Sequence, residues 1–203
     1  MRISPADIRQ AVLNPAYRIP TGPRPPAPST DSSLRKAIRV YHTDGIDVAT
    51  LGLELGLSSE YWRSRGLSKA KIARELLSNY VNRAEPDKRV AVPASPHTVH
   101  WGAHQISANV DVLIRDRRGH VGRLCFTGNV GRPLSRAELA LIAAAPLRGL
   151  LDEFEGQLFG DIIAEIEVWE LRLDIATVIP RDEASQAWDA LLVHLTRATA
   201  QDS

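Results

Sequence analysis

The sequence predicts an α/β (α+β) fold, with a helical N-terminal half followed by a small mixed sheet, a crossover helix and a C-terminal helix. Two patterns in the spacing of apolar residues lead to this prediction. Between residues 33 and 83 apolar side chains recur every three or four residues, which is typical of amphipathic helices. From about Thr98 they alternate with polar ones, as in strands, and a helical stretch at 135–155 separates two predicted strand pairs.

Length and composition exclude several classes of protein. The chain has 203 residues, of which 44% are hydrophobic, and this excludes wholesale disorder. No apolar run reaches the roughly 18 residues that cross a bilayer, and the opening MRISPADIRQ lacks an apolar signal-peptide core. The single cysteine excludes a disulfide framework and a cysteine-built zinc site. We therefore expect a cytoplasmic protein with no membrane partner.

The net charge of +1 hides an uneven distribution of charge along the chain. Residues 1–149 carry 22 basic and 12 acidic side chains, whereas residues 150–203 carry 3 basic and 12 acidic ones. Such a pattern can indicate a surface that faces a polyanion such as DNA. In the alternative interpretation, the arginine-rich front and the acidic terminal segment serve only solubility.

Three segments are predicted along the chain. Residues 1–32 contain a short helix capped by Ser4, followed by a proline-rich arm in which five prolines between Pro20 and Pro28 forbid a helix or an inner strand. Residues 33–92 form a helical subdomain. Residues 93–203 form the α/β core and end in an acidic C-terminal helix.

The helical subdomain is expected to contain three main helices. Gly56 is placed to end the second of them, and Ser68 to cap the third. Their apolar stripes are Leu34, Ile38 and Tyr41; Val48, Leu51 and Leu55; and Ile72, Leu76, Leu77, Tyr80 and Val81.

The third segment is predicted to open with one long strand. In ISANVDVLIRD, every second residue from Ile106 to Ile114 is apolar, which indicates a single strand with one buried face. A turn at Asp116–Gly119 then leads to a return strand, Val121 to Thr127.

A capping-box pair, Ser135 and Glu138, predicts the start of the crossover helix, which Pro146 is expected to kink or split. A further strand around Val168 turns at Asp174 into its neighbour. The last amphipathic helix follows Pro180 and carries the apolar residues Trp188, Leu191, Leu192 and Leu195.

Three stretches of the chain carry a resemblance to a known family: ISPADI with the following Asn14-Pro15, ARELLSNYV, and ANVDVLIRDRRGHVGRLCFTGN. Together they resemble the RecB-type branch of the PD-(D/E)XK nuclease superfamily. The resemblance implies an opening helix, a helix that leads into the first strand, and a hairpin that bears a metal site. It also implies a helix and a further strand after the hairpin, as in that family's core.

In such a hairpin, two carboxylates bind a divalent metal that activates water, and a lysine stabilises the developing charge. Asp111 matches the first carboxylate, and Thr127 with Gly128 matches the end of the second motif. The remaining carboxylate and the lysine fall on Leu124 and Phe126, which cannot ligate metal. We therefore expect a non-catalytic relative without a cofactor, in which Asp111 is a remnant of a metal site, and Mg²⁺ or Mn²⁺ would bind only if nuclease activity remained. Alternatively, Asp111 is a solvent-facing strand residue that pairs with a nearby arginine.

The stretch VATLGLELGLSSEYWRSRGL resembles a helix-turn-helix, with Gly56 at the turn and Ser59, Glu60 or Tyr61 facing base edges. Residues 34–83 also resemble the helical adaptor modules of the bacterial death-like, effector-associated type, which assemble with proteins of their own kind. The basic residues predicted to contact nucleic acid are Arg63, Arg65, Lys69, Lys71, Arg74, Arg117 and Arg118.

Two other features are expected to be structural. His97, His100 and His104 have no cysteine partner and no carboxylate within the triplet, and they are interpreted as surface or structural histidines rather than a zinc site. Cys125 lies in a predicted strand among apolar neighbours, so we expect a buried, unreactive thiol.

Three hypotheses for function follow from the sequence. The first is a DNA-associated or scaffolding subunit of a bacterial complex, with the RecB-like fold but no catalysis. The second is a helical adaptor that binds other protein subunits, and the third is a helix-turn-helix regulator.

Overall fold

The computed structural model describes residues 1–22, 30–57, 67–84, 90–92, 94, 96–116, 119–126, 132–154 and 163–200. Within these ranges the chain has an α+β fold, as predicted. The helices are α1 (Pro5–Leu13), α2 (Thr30–Asp44), α3 (Ile46–Leu57), α4 (Leu67–Ala84), α5 (Arg136–Phe154) and α6 (Arg181–Thr199). The strands are β1 (Arg2–Ile3), β2 (Val90–Val92), β3 (Thr98–Trp101), β4 (His104–Ser107), β5 (Val112–Asp116), β6 (Gly119–Phe126), β7 (Ile163–Glu170) and β8 (Ile175–Pro180). No helix in these ranges has both the length and the apolar character needed to cross a membrane.

A five-stranded mixed sheet is the centre of the fold, with strand order β2-β5-β6-β7-β8. Neighbouring strands are antiparallel except β6 and β7, which are parallel. Parallel neighbours need a crossover connection, and α5 lies between them in the chain. The predicted hairpin, crossover helix and mixed sheet are therefore confirmed.

The two faces of this sheet are covered by different helices. On β6, Val121 and Cys125 are buried in one core together with residues of α2, α3 and α4. Leu124 and Phe126, which point to the opposite face because strand side chains alternate, are buried in a second core with α5. The sheet is therefore the middle of three layers.

A second, three-stranded sheet with the order β1-β4-β3 was not predicted. Its strand β1 pairs in parallel with β4, which places Ile3 opposite Ile106. Helix α1 follows directly, with the predicted Ser4 cap confirmed by a reciprocal capping box with Asp7. This small sheet shares a third core with α1, α5 and α6.

The prediction of one long strand from Ile106 to Ile114 is wrong. The chain forms β4, leaves the small sheet after Ser107, and joins the large sheet as β5 from Val112. The apolar residues alternate through the break, but they enter three different cores: Ile106 the small-sheet core, Val110 the α5 core, and Ile114 the core beneath α2–α4. Ser107, Asp111 and Leu113 are buried as well, so the period of two revealed neither a continuous strand nor a single buried face.

Helix α3 differs from its predicted orientation. Val48, Leu51 and Leu55, predicted as its core stripe, are 49%, 57% and 65% exposed. The buried side chains are Ala49 and Leu53, which lie in the core with α2 and α4. Helix α3 has apolar residues on more than one face, so periodicity alone could not decide which face is buried. The other two predicted stripes are confirmed, because Leu34 and Ile38 of α2 and Leu76, Leu77, Tyr80 and Val81 of α4 are buried.

Helix α5 is buried along most of its length between the two sheets. Its predicted capping box is confirmed, since Ser135 N–H donates to Glu138 at 2.7 Å and Glu138 N–H donates back to the Ser135 hydroxyl at 3.3 Å. Pro146 does not split the helix, which continues from Arg136 to Phe154. A Cβ on Gly149 would lie 2.8 Å from the Cβ of Ala108, so the absence of a side chain permits this close packing.

The C-terminal elements agree with their prediction. Asp174 adopts φ +52°, a left-handed conformation that aspartate tolerates at turns, and it connects β7 to β8. Helix α6 begins directly after Pro180. It packs mainly against α5, with Leu191 and Leu195 fully buried.

Candidate functional site

Asp111 is a buried carboxylate held by two arginines of α2. Arg35 Nε lies 2.7 Å from one carboxylate oxygen and 2.9 Å from the other, and Arg39 Nη2 lies 2.9 Å from Oδ1. The backbone N–H of Cys125 donates to Oδ2 at 2.8 Å. Each oxygen thus accepts two hydrogen bonds. We call Asp111, Arg35 and Arg39 the arginine clamp.

The clamp corrects the interpretation of Asp111 as a solvent-facing strand residue. The Asp111 side chain is fully buried, and its residue precedes β5, where its own N–H donates to the carbonyl of Arg123 at 2.8 Å. The expected pairing with arginine is present. A buried carboxylate needs such partners, because leaving a charge unpaired in the interior is costly.

Arg35 and Arg39 were not predicted as site residues from the sequence. Arg35 and Arg39 are four residues apart, so they lie on one side of α2 beside the buried Leu34 and Ile38. This spacing was a usable signal that both face the edge of the core. Their common partner, 72 and 76 residues further along the chain, could not be read from it.

A second buried polar cluster surrounds Arg123 at the centre of the sheet. Its Nε lies 2.9 Å from Glu167 Oε2, and its Nη1 donates to the Tyr80 hydroxyl at 2.9 Å. The guanidinium stacks on Trp169, with its carbon 4.3 Å from the ring centroid. His42 Nε2 lies 2.7 Å from the same Tyr80 hydroxyl, so the cluster links α2, α4 and the sheet.

Electrostatics in this cluster keep Arg123 charged and Tyr80 neutral. Burial raises the pKa of the Tyr80 hydroxyl well above its usual range, and the nearby Cys125 raises it further. Burial alone would lower the pKa of Arg123, but Tyr80 and Glu167 outweigh it and the pKa is raised. The sequence signal for this cluster was Arg123 itself, a charged residue on the strand face that also carries Val121 and Cys125.

A pocket lies on the other face of β6, beside the N-terminal turn of α1. Its volume, including the open mouth, is about 460 Å³. Leu124 and Phe126, the positions at which the nuclease resemblance expects a carboxylate and a lysine, form part of its wall. The lining residues are Pro5, Ala6, Ile8, Arg9, Arg35, Ser107, Leu124, Cys125, Phe126, Ile142 and Pro146.

A second pocket lies next to the clamp, between α2 and the start of β5. It is more polar than the first, and its volume, with open solvent included, is about 560 Å³. Arg35 lines the first pocket and Arg39 lines this one, so the clamp lies between them. The lining residues are Arg39, His42, Thr43, Ala91, Ala94, Asp111 and Val112.

The residues predicted to contact nucleic acid are only partly described. Lys71 and Arg74 lie on α4 with side chains 78% and 50% exposed, and each is near an acidic residue, Glu75 at 3.9 Å and Glu54 at 3.2 Å. Lys69 belongs to the same helix, although its side chain lies outside the description. Outside the described residues are also Arg63, Arg65, Arg117 and Arg118, the candidates for base contacts Ser59, Glu60 and Tyr61, and Thr127 with Gly128.

The histidines do not form a shared site in the described part of the chain. His97 Nε2 lies 2.9 Å from Glu153 Oε2, whereas His104 packs on Trp101 with ring centroids 5.1 Å apart. Among the described residues, no three His, Cys, Asp or Glu side chains come together as a metal site would require. Cys125 is buried as predicted, and burial, then the nearby Asp111, raises the pKa of its thiol.

Comparison with protein-family models and with curated proteins finds no match to this chain.

Proposed function

We propose that this chain is a non-catalytic protein with a RecB-like nuclease core that associates with DNA as a subunit of a larger assembly. The arginine clamp carries this proposal. In the resemblance, Asp111 corresponds to a carboxylate that binds a divalent cation. Here both of its oxygens accept hydrogen bonds from the guanidinium groups of Arg35 and Arg39 and from a backbone N–H. The positive charge that a metal would supply comes from protein side chains.

The order of elements supports the same core. Helix α4 is followed by β2, by β3 and β4 of the small sheet, and then by the β5–β6 hairpin, the crossover helix α5 and the parallel strand β7. The resemblance implies this succession of a helix, a hairpin with the site, a helix and a further strand. Order alone does not identify a family, so the residues at the site remain the stronger support.

Two apolar residues support the absence of catalysis. Leu124 and Phe126 are 5% and 7% exposed and pack in the core with α5. Neither side chain can bind a metal or stabilise the charge that develops when a phosphodiester is attacked. Lost catalysis is compatible with retained binding, because the two depend on different groups.

Exposed basic side chains support the association with DNA. Lys71, Arg74 and the outer part of Arg39 are 78%, 50% and 47% exposed, within the part of the chain where basic residues outnumber acidic ones. Lysine and arginine at a protein surface bind phosphates by releasing counterions, and this requires no particular base sequence. The acidic residues that accompany Lys71 and Arg74 are themselves exposed, so these ion pairs can exchange for phosphate at little cost.

Fluorescence anisotropy with labelled single- and double-stranded DNA, over a range of KCl concentrations, tests the binding. We expect an affinity that falls with salt, and intact DNA after incubation with Mg²⁺ or Mn²⁺. Cleavage that requires the divalent ion and is lost in Asp111→Ala would contradict the non-catalytic assignment. No binding to either DNA at micromolar protein would contradict the association with DNA.

A matched pair of variants locates the surface. In Lys71→Gln/Arg74→Gln the salt slope of log K should become shallower by about 1.8 units if both side chains contact phosphate. Arg172→Gln/Arg181→Gln makes the same change of charge at exposed positions in the acidic C-terminal segment and should leave binding unchanged. An equal loss of DNA affinity in both double variants would show that binding depends only on the net charge of the protein.

A second candidate function, a helical adaptor, is favoured by the exposed apolar side chains of α3. Val48, Leu51 and Leu55 lie three and four residues apart, so they form one stripe on the helix, and they are about half to two-thirds exposed among the described residues. Exposed apolar patches of this kind are typical of protein-binding surfaces. Light scattering at increasing concentration, with Leu51→Asp/Leu55→Asp as the comparison, tests it. Oligomers that disappear in this variant would support the adaptor, and a monomer throughout would contradict self-association.

A further inference from the structure

Arg9 contributes a cationic group to the wall of the α1 pocket, the pocket that Leu124 and Phe126 line. Its guanidinium carbon lies 5.5 Å from the centroid of the Phe126 ring, so the two side chains stack. Both residues line the pocket. The cation–π contact orients the guanidinium and holds it against an apolar wall.

Two guanidinium nitrogens of Arg9 have unsatisfied hydrogen-bonding capacity. Nε and Nη1 are buried, and neither has a hydrogen-bond partner among the described residues. Buried polar groups in proteins are almost always paired, because an unmade hydrogen bond to a charged group costs free energy. A bound anion would supply the missing acceptors once the guanidinium turns toward the open side of the pocket, since Arg9 lines the pocket and is only partly buried.

Charges around the pocket favour an anion. Besides Arg9, the lining includes Arg35 and the hydroxyl of Ser107, and none of the described lining residues is acidic. The nearest acid along the helix, Asp7, accepts from the Ser4 hydroxyl at 2.6 Å and from the Tyr17 hydroxyl at 2.5 Å, and it is not a lining residue. Arg35 is paired with Asp111, so among the described lining residues Arg9 is the charged group without an acidic partner.

The remaining wall is apolar. Pro5, Ile8, Leu124, Ile142 and Pro146 surround the space next to Arg9. An inorganic ion would leave these side chains uncovered, whereas a ligand with a hydrocarbon body would bury them.

We propose that the α1 pocket binds a small carboxylate with an apolar body, and that Arg9 is the partner of the carboxylate. The hydrocarbon part of the ligand lies against Leu124 and Phe126. The two side chains that exclude a nuclease metal site at these positions would thus form the wall of a site for an organic anion. This proposal does not depend on DNA binding, which was assigned to Lys71, Arg74 and Arg39, side chains that do not line this pocket.

Isothermal titration calorimetry of the full chain with hexanoate, hexanol and inorganic phosphate at constant ionic strength tests the site. Hexanoate should bind, and hexanol and phosphate should bind at least about tenfold more weakly, as expected when a hydrogen bond to a charged group or the apolar contact is missing. Binding of hexanol as tight as that of hexanoate would contradict the role of Arg9. Tighter binding of phosphate, or no binding of hexanoate, would contradict the proposed ligand class.

Two variants of the pocket test ligand binding, and their melting temperatures show whether the fold is retained. Arg9→Met keeps most of the apolar stem and removes the charge, so affinity for hexanoate should fall about tenfold or more. Ala6→Phe leaves Arg9 in place and fills the mouth, where Ala6 is exposed, and it should also abolish binding. Arg18→Met, an exposed arginine outside the lining, is the matched control and should bind as the original chain does. Equal affinity in the original chain and in Arg9→Met, with unchanged melting temperatures, would overturn the proposal.

Discussion

Arg123 and Glu167 lie directly opposite each other on the parallel strands β6 and β7, and their side chains form an ion pair with Nε 2.9 Å from Oε2. Their side chains are 1% and 8% exposed. Tyr80 from α4 and the indole N–H of Trp169 satisfy further groups of this pair, at 2.9 Å and 3.2 Å. The centre of the sheet therefore contains a charged cluster beneath the helical layer, where an apolar core would be usual.

Removal of Arg123 should strongly destabilise the fold. Arg123→Met leaves Glu167 buried without its counter-charge, and breaking one side of a buried pair typically costs about 3–5 kcal/mol. Urea unfolding followed by circular dichroism measures the loss of unfolding free energy. The double variant Arg123→Met/Glu167→Leu removes both charges and should recover most of that free energy. A loss below about 1 kcal/mol in the single variant would show that water or other groups compensate for Glu167.

Neutralisation of Asp111 should also destabilise the fold. Asp111→Asn keeps the shape of the side chain but removes the charge that Arg35 and Arg39 share, and we expect the free energy of unfolding to fall by about 2–4 kcal/mol. Asp44→Asn, at an exposed position at the end of α2, is the control and should change it by less than about 0.5 kcal/mol.

Thermal unfolding of the unmodified protein and of Asp111→Asn tests whether the arginines or a metal ion neutralise Asp111. The melting temperature of the original chain should not rise with millimolar Mg²⁺ or Mn²⁺, because guanidinium groups already neutralise Asp111. A rise that Asp111→Asn abolishes would instead support a bound divalent ion.

Glu138 should make the stability of the chain dependent on acid pH. The hydrogen bond from Arg132, together with the N–H and hydroxyl of Ser135, lowers its pKa from the usual value to about 2. A lowered pKa means that the charged form stabilises the fold above the pKa of the unfolded chain, about 4.3, and that this stabilisation is lost as the pH falls towards 2.

The comparison with Glu138→Gln isolates this effect. Because Arg132 is largely exposed and solvent screens the pair, we expect the original chain to be more stable by only about 1 kcal/mol at pH 7. Unfolding experiments between pH 7 and pH 2 should show the difference shrinking below about pH 4. A difference that stays constant with pH would show that the charge of Glu138 is not responsible.

Two glycine-to-alanine substitutions should change stability in opposite directions. A Cβ at Gly149 would lie 2.8 Å from the Cβ of both Ala108 and His97 and 2.9 Å from the Ala108 carbonyl oxygen, so Gly149→Ala should cost about 1–3 kcal/mol. At Gly52, within α3, nothing lies within 4 Å of the added Cβ. Gly52→Ala should therefore stabilise the helix by about 0.5–1 kcal/mol. Thermal unfolding of both variants is the measurement, and destabilisation in both would contradict the assigned packing.

Elements with strong local signals could be predicted from the sequence. The caps at Ser4 and Ser135, the hairpin before β6 and the helix after Pro180 depend on hydrogen bonds and backbone angles between residues close in the chain. A short stretch of sequence therefore contains each of these signals in full. The break between β4 and β5 has no such local signal, because the run from Ile106 to Ile114 has a single uninterrupted period while its members pack in different cores.

The candidate sites show the same division. Asp111 was singled out through the nuclease resemblance, but its partners Arg35 and Arg39 approach it from a helix more than 70 residues earlier. Likewise, Arg9 meets Phe126 only because α1 packs beside the sheet. Contacts of this kind are absent from any local window, so the residues could be named individually but not assembled.

The sequence by itself determined the α+β class, the places of most helices and strands, and the crossover between β6 and β7. Each of these depends on periodicity, capping or residue type. The tertiary structure decided which face of α3 is buried, that Asp111 lies between two arginines, and that Arg123 is enclosed at the centre of the sheet. These outcomes depend on which surfaces meet when the layers pack, since burial and charge pairing are properties of distant residues brought together.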